Sequence, residues 1–144
     1  MKRSTILLLP ILSAVLLSMV ACHKPKAVTE SAWRSEQQVR ATKAPESVQQ
    51  QWAYLNRIRQ EDALNSLIDR TFLNDQNELG VVLFSSVTPD QVPAIMRKAT
   101  TKMAQKFQNE DVILNVYSSA TPLRKLGIAH LNGQTKETIY TPEK

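Results

Sequence analysis

The chain has 144 residues, of which 42% are hydrophobic, with 18 lysines and arginines against 13 aspartates and glutamates and a formal charge of +5. This length suits one compact domain, and so mild a charge, without a concentrated basic face, is not the footprint of a nucleic-acid-binding protein. Cys22 is the single cysteine, so a disulfide within the chain is excluded and the fold must close without one.

The chain begins with a leader. Lys2 and Arg3 precede an apolar stretch over residues 6–17, and Ser18, Met19, Val20 and Ala21 lead to Cys22. A basic start, a short apolar run and small residues before a processing point are the layout of an export signal. The apolar run falls short of the roughly 20 residues a membrane span needs, and Pro10 interrupts it. The tetrad Met19-Val20-Ala21-Cys22 resembles the lipobox of bacterial lipoproteins, in which a branched apolar residue and two small ones precede a modified cysteine; Met19 stands where leucine is commonest. The resemblance covers residues 1–22. It implies that residues 1–21 are a cleaved signal peptide and that Cys22 carries a diacylglycerol and an N-acyl chain; beyond these groups no cofactor is expected. Two or three acyl chains, at about 0.8 kcal/mol per buried methylene, anchor a protein to a membrane without spanning it. His23 stands where the family places an aspartate for inner-membrane retention, which implies an outer-membrane site facing the periplasm in a host with two membranes. Loss of Lys2 and Arg3 leaves 16 basic against 13 acidic groups, or +3.

Residues 22–46 hold Pro25, Pro45 and many polar side chains, and they read as the lipidated cysteine followed by a flexible tether. Such a coil reaches about 25–30 Å. Trp33 is its apolar exception, available to dock on the domain, to enter the membrane interface or to meet a partner. Residues 47–144 then form a single domain. Over residues 47–73, Val48, Trp52, Leu55 and Ala63 share one side of a helical wheel, while Leu64, Leu67, Ile68 and Phe72 share another. That pattern predicts two helices meeting near residues 60–62, or one helix buried on two faces. Asn74, Asp75, Asn77 and Gly80 supply stop signals.

Residues 79–87 are nearly all apolar and read as a central strand covered on both faces. Thr88-Pro89-Asp90-Gln91 is a capping box with proline at the first helical position, opening a helix to about residue 108. Val92, Ile95, Met96, Ala99, Met103 and Phe107 form its apolar stripe, which predicts packing on a sheet. Residues 111–118 alternate as a second strand, parallel to the first across the helical crossover. Residues 125–131 and 135–141 are strand-like, and Asn132-Gly133 between them predicts a tight type I′ hairpin. The expected class is α+β: a small mixed β-sheet, built as β-α-β plus a C-terminal β-hairpin, covered by helices and preceded by a helical segment.

Chemistry is sparsely marked. His23 and His130 are too few for a metal centre or a nucleophilic triad, and Gly80, Gly127 and Gly133 are too far apart for a phosphate loop. Glu61 with Asp62, and Glu110 with Asp111, are adjacent carboxylates, but neighbours on a helix or strand diverge, so caps and solvent explain them better than acid–base work. Lys98, Lys102 and Lys106 follow one another at helical spacing along a single flank, where they would meet an anionic surface or snorkel into water. Tyr117, His130 and Tyr140 lie on three expected strands and would form a recognition patch if they share a face. The last strand offers an edge for strand addition, with 141–144 as its terminator.

These readings point to a non-enzymatic binding or assembly module in the cell envelope, held by a lipid anchor and serving an envelope protein partner. A ligand-binding lipoprotein with an apolar cleft between helices and sheet, and an envelope hydrolase using carboxylates, are the alternatives.

Overall fold

The alternation in Val112, Leu114 and Val116 decides the architecture, because it turns three apolar side chains to one side of a strand and leaves Ile113 and Tyr117 on the other. The computed structural model describes residues 30–144. Two helices come first, α1 (Glu30–Lys43) and α2 (Glu46–Ile58), followed by strands β1 (Ile68–Leu73) and β2 (Leu79–Leu83). A short 3-10 turn (Pro89–Gln91) leads into α3 (Val92–Lys106), and β3 (Val112–Ser118), β4 (Arg124–Leu131) and β5 (Thr138–Pro142) complete the domain. The strands form one sheet in the order β1-β2-β3-β4-β5, in which only the β2–β3 pairing is parallel. The domain is therefore α+β with a mixed sheet, and the β-α-β unit and C-terminal strand pair stand as the sequence predicts.

Register places Leu79, Val81 and Leu83 beside Leu114, Val116 and Ser118, and Leu114 beside Ala129. That face meets the helices. The stripe of α3 buries Val92, Ile95, Met96, Ala99 and Met103, and α2 buries Trp52, Leu55 and Ile58. Thr100, fully buried, returns its hydroxyl to Met96 O (2.8 Å) and meets Thr138 Oγ1 at 2.7 Å, which ties the crossover helix to β5. At the helix start Gln91 Oε1 accepts from Thr88 N–H (3.0 Å), the arm of the capping box read from the sequence.

Three expectations are corrected. Residues 30–43 are a helix rather than part of a flexible tether: Gln37, Ala41 and Ala44 are buried, and the Trp33 ring sits edge-on to Phe72 with centroids 5.9 Å apart. Trp33 thus docks on the domain. Residues 68–73 are a strand rather than helix, since Leu73 and Ile68 face the core while Phe72 lies across from Gly80 on the far side. The Phe72 ring covers Gly80 so closely that no Cβ fits there. β2, by contrast, is the interior strand covered on both faces that the sequence predicts, buried along its whole length between β1 and β3.

The β4–β5 connection, finally, is a six-residue loop over 132–137 rather than a two-residue turn. Asn132 Oδ1 accepts from the N–H groups of Gln134 and Thr135 (2.9 and 3.0 Å), and the positive φ falls on Lys136 (61°). Gly133 is required for another reason: a Cβ there would lie 2.5–2.6 Å from the main chain of Asn109 and Glu110.

Leu73 N–H, on the outer edge of the sheet, donates to the buried Gln37 Oε1 at 2.7 Å. Gln37→Leu removes the acceptor and leaves a buried donor unpaired, so urea unfolding should show a loss of about 1–3 kcal/mol. A free tether over residues 30–43 would leave stability unchanged.

Candidate functional site

With α2 and α3 on one side, the opposite side of the sheet carries no helix among the described residues except where Trp33 reaches over Phe72. Ile113, His130 and Ile139 stand directly across β3, β4 and β5 from one another. Ile113 is 50% exposed and Ile139 62%, while Ile128 and His130 are half-buried. Asn115, Ile128 and Thr141 make the neighbouring cross-strand row. Two exposed isoleucines thus flank His130 on this side of β3, β4 and β5, while Val82 and Asn115 on the same side are buried.

Of the three residues expected to share a patch, Tyr117 and His130 lie on this face and Tyr140 does not. Tyr140 pairs with Ala129, so alternation turns it to the helix-bearing side, one residue away from outward-facing Ile139. Its ring lies over Gly127, and its hydroxyl donates to Leu126 O at 2.8 Å; burial raises its pKa. The Tyr117 ring stands 5.3 Å from Phe72, and its hydroxyl pKa is raised by burial first, then by Glu78 and Glu143.

His130 Nε2 lies 3.1 Å from Asp111 Oδ2, while Gly133 N–H donates to Asp111 Oδ1 at 2.8 Å. Asp111 therefore fastens the start of β3 to the β4–β5 loop. The Gly133 N–H, and then His130, hold its carboxyl below the usual carboxylate range. The adjacent carboxylates do not converge on each other: Glu61 meets Lys102, and Glu110 accepts from Gln51 Nε2 at 3.2 Å. No cluster of three or more histidine, cysteine, aspartate or glutamate side chains placed to hold a metal ion occurs among the described residues.

The lysine row is present on the outer flank of α3 but is broken in its middle. Lys102 is committed to Glu61, Lys98 lies in a shallow groove beside Arg97, and Lys106 stands by Tyr54 and Phe107. Met19, Val20, Ala21 and Cys22 lie outside the described residues.

A second concavity, unmarked in the sequence, opens between α1, α2 and the outer edge of β1. Its side chains come from segments read as tether and as helical, so only a β-strand assignment for residues 68–73 would have brought Arg70 next to Trp33. Arg59 Nη1 donates to Asp69 O (2.9 Å) and its Nε to Asn56 Oδ1 (2.7 Å), fixing α2 to the strand beside this cleft.

No protein-family model, curated protein or solved structure matches the chain.

The Asp111 carboxyl has a folded pKa below its unfolded one, so its contribution to stability is present above the ordinary carboxylate pKa and is lost as pH falls through the folded value. Asp111→Asn should lower the denaturation midpoint at neutral pH. The gap from the parent protein should close as the pH is taken below about 4, the unperturbed aspartate value. A gap that persists undiminished in acid would mean that the charge contributes nothing.

Proposed function

We propose that this chain is a lipid-anchored bacterial lipoprotein whose domain is a non-enzymatic binding or assembly module, presenting its uncovered sheet face to a protein of the cell envelope. The observation that carries the binding role is the row Ile113, His130 and Ile139, which leaves two isoleucines at least half exposed on the side away from both packing helices. Burial of such surface contributes about 25 cal/mol per Å², so a partner that covers it gains directly. The lipobox-like tetrad ending at Cys22 supports the anchor. No helix among the described residues is long and apolar enough to cross a membrane, which leaves the acyl chains as the means of attachment in this reading.

Cell fractionation of the native chain and of Cys22→Ala tests the anchor. The native protein should stay with the membranes and the variant should be released. In-cell crosslinking with mass spectrometry tests the surface: Ile113→Lys with Ile139→Lys should abolish a crosslinked envelope protein that the native chain captures in stoichiometric amount. An unchanged crosslink in that double variant would remove the sheet face from the reading.

A further inference from the structure

The two edges of the sheet offer different things to a further strand. At β1 the outward main-chain groups are taken, Leu73 N–H by Gln37 and Asp69 O by Arg59. At β5 the bonds at its two ends show which way the main chain points. Asn132 N–H donates to Glu137 O and Glu143 N–H to Leu126 O, both at 2.9 Å, and both pairs continue the register that sets His130 beside Ile139 and Ile128 beside Thr141. Alternate residues of an antiparallel ladder bond to the same neighbour, so Ile139 and Thr141 turn their main-chain groups to β4 while Thr138, Tyr140 and Pro142 turn theirs outward. Thr138 and Tyr140 bond through their hydroxyls to Thr100 Oγ1 and Leu126 O, and among the described residues no partner meets their outward N–H and C=O groups.

The surroundings of this edge select its occupant. Thr138, Ile139, Tyr140 and Thr141 are uncharged and strand-prone, without the lysine or inward charge that blunts an exposed edge, and Ile139 at their centre is 62% exposed. Beside them α3, whose Thr100 reaches Thr138, turns Thr101, Ala104 and Gln108 to a shallow groove bordered by Lys136. Those three side chains are uncharged, whereas Lys102 and Lys106 lie toward α2. A lone peptide would fill the edge and leave this flank open; a second copy brings a strand and a helix together.

We propose that β5 pairs antiparallel with β5 of a second copy about a twofold axis at Ile139, joining the five strands of each into one sheet with both α3 helices on the same side. In this register Thr138 lies opposite Tyr140 of the second copy, and each such pair exchanges both of its N–H and C=O groups. Ile139 faces its own counterpart with Cα atoms about 4.5 Å apart, which covers two exposed isoleucines. Glu137 falls opposite Thr141, so no like charges meet there. Slipping the pairing by two residues loses bonds in either direction. Set against Pro142, the Thr138 carbonyl has no N–H to accept from; set against Lys136, whose N–H already donates to Asn132 O at 2.9 Å, the Tyr140 carbonyl has none. The pairing does not depend on the envelope-partner reading, and it continues the row of Ile113, His130 and Ile139 across the axis.

Sedimentation velocity of the purified full chain tests this, with Cys22 kept reduced so that no disulfide links two copies. The native chain should show a monomer–dimer equilibrium whose dimer fraction rises with concentration. Ile139→Lys and Ile139→Glu each set like charges face to face at the axis, so each alone should weaken association at least about tenfold, while an equimolar mixture of the two should restore the dimer. The position is exposed, so circular dichroism should not change. Ile113→Lys, two strands from the axis, should leave the dimer intact, which separates this contact from capture of an envelope protein by the sheet face. A native chain that stays monomeric at every concentration, a dimer indifferent to both charges at 139, a mixture that does not reassociate, or a dimer lost with Ile113→Lys overturns the proposal.

Discussion

The domain rests on a single layer of apolar contact, in which the stripe of α3 and the buried side of α2 press against one face of the sheet. Leu55, Ile58, Met96, Ala99, Met103, Leu114, Val116, Ala129 and Leu131 meet there with at most traces of exposure. At close-packed density such a layer defines both register and topology, since a one-residue slip of β3 would carry Leu114 and Val116 to the other side. The consequence is asymmetry. Among the described residues, the helices pack on one face of the sheet, and on the other Trp33 reaches over Phe72 while Ile113 and Ile139 stay exposed.

The edges of the sheet are treated differently. At β1, α1 and α2 send side chains to the outward main-chain groups, Gln37 to Leu73 N–H and Arg59 to Asp69 O. Main-chain groups buried at an edge need such partners, and side chains that supply them also prevent another strand from joining. At β5 the strand is short and ends in Pro142, which has no N–H to offer. Thr100 on α3 reaches Thr138 on this strand, so the crossover helix braces the far edge as α1 and α2 brace the near one.

What was legible in the sequence is what local pattern alone determines. The capping box at Thr88, the stripe of α3 and the alternation of β3 each satisfy one periodicity without competition, and each stands where the pattern puts it. Residues 30–43 carry too few apolar positions to announce a packed helix; what holds them is a buried glutamine, two small alanines and one tryptophan, all of which need tertiary partners to count. Residues 68–73 misled for the opposite reason. Leu64, Leu67, Ile68 and Phe72 have helical spacing, but Leu64 and Leu67 belong to the turns before the strand, and Asp69, Arg70 and Thr71 hide the two-residue alternation of β1. The Asn132-Gly133 pair has the chemistry of a two-residue turn, yet the close approach of Asn109 and Glu110 uses the glycine for clearance and moves the left-handed residue to Lys136. The cleft inherits both misreadings, because its walls come from the helix and the strand that periodicity did not reveal. Of the uncovered face, Tyr117 and His130 were foreseen and the exposed isoleucines were not, since an apolar residue in a strand reads as core until its partner face is known.

The docking of α1 changes how far the domain stands from any lipid at Cys22. If residues 22–46 were a coil, the fold would roam on a leash of some two dozen residues. With α1 beginning at Glu30, seven residues separate it from Cys22, and even fully drawn out they span at most about 25 Å. On the lipid-anchored reading, the domain is confined to a shell about one domain-width deep over the bilayer, and its encounters become nearly two-dimensional. A partner would be met by lateral diffusion in the membrane plane rather than by reaching across the compartment, which raises effective concentration for neighbours in the same leaflet and excludes those farther away.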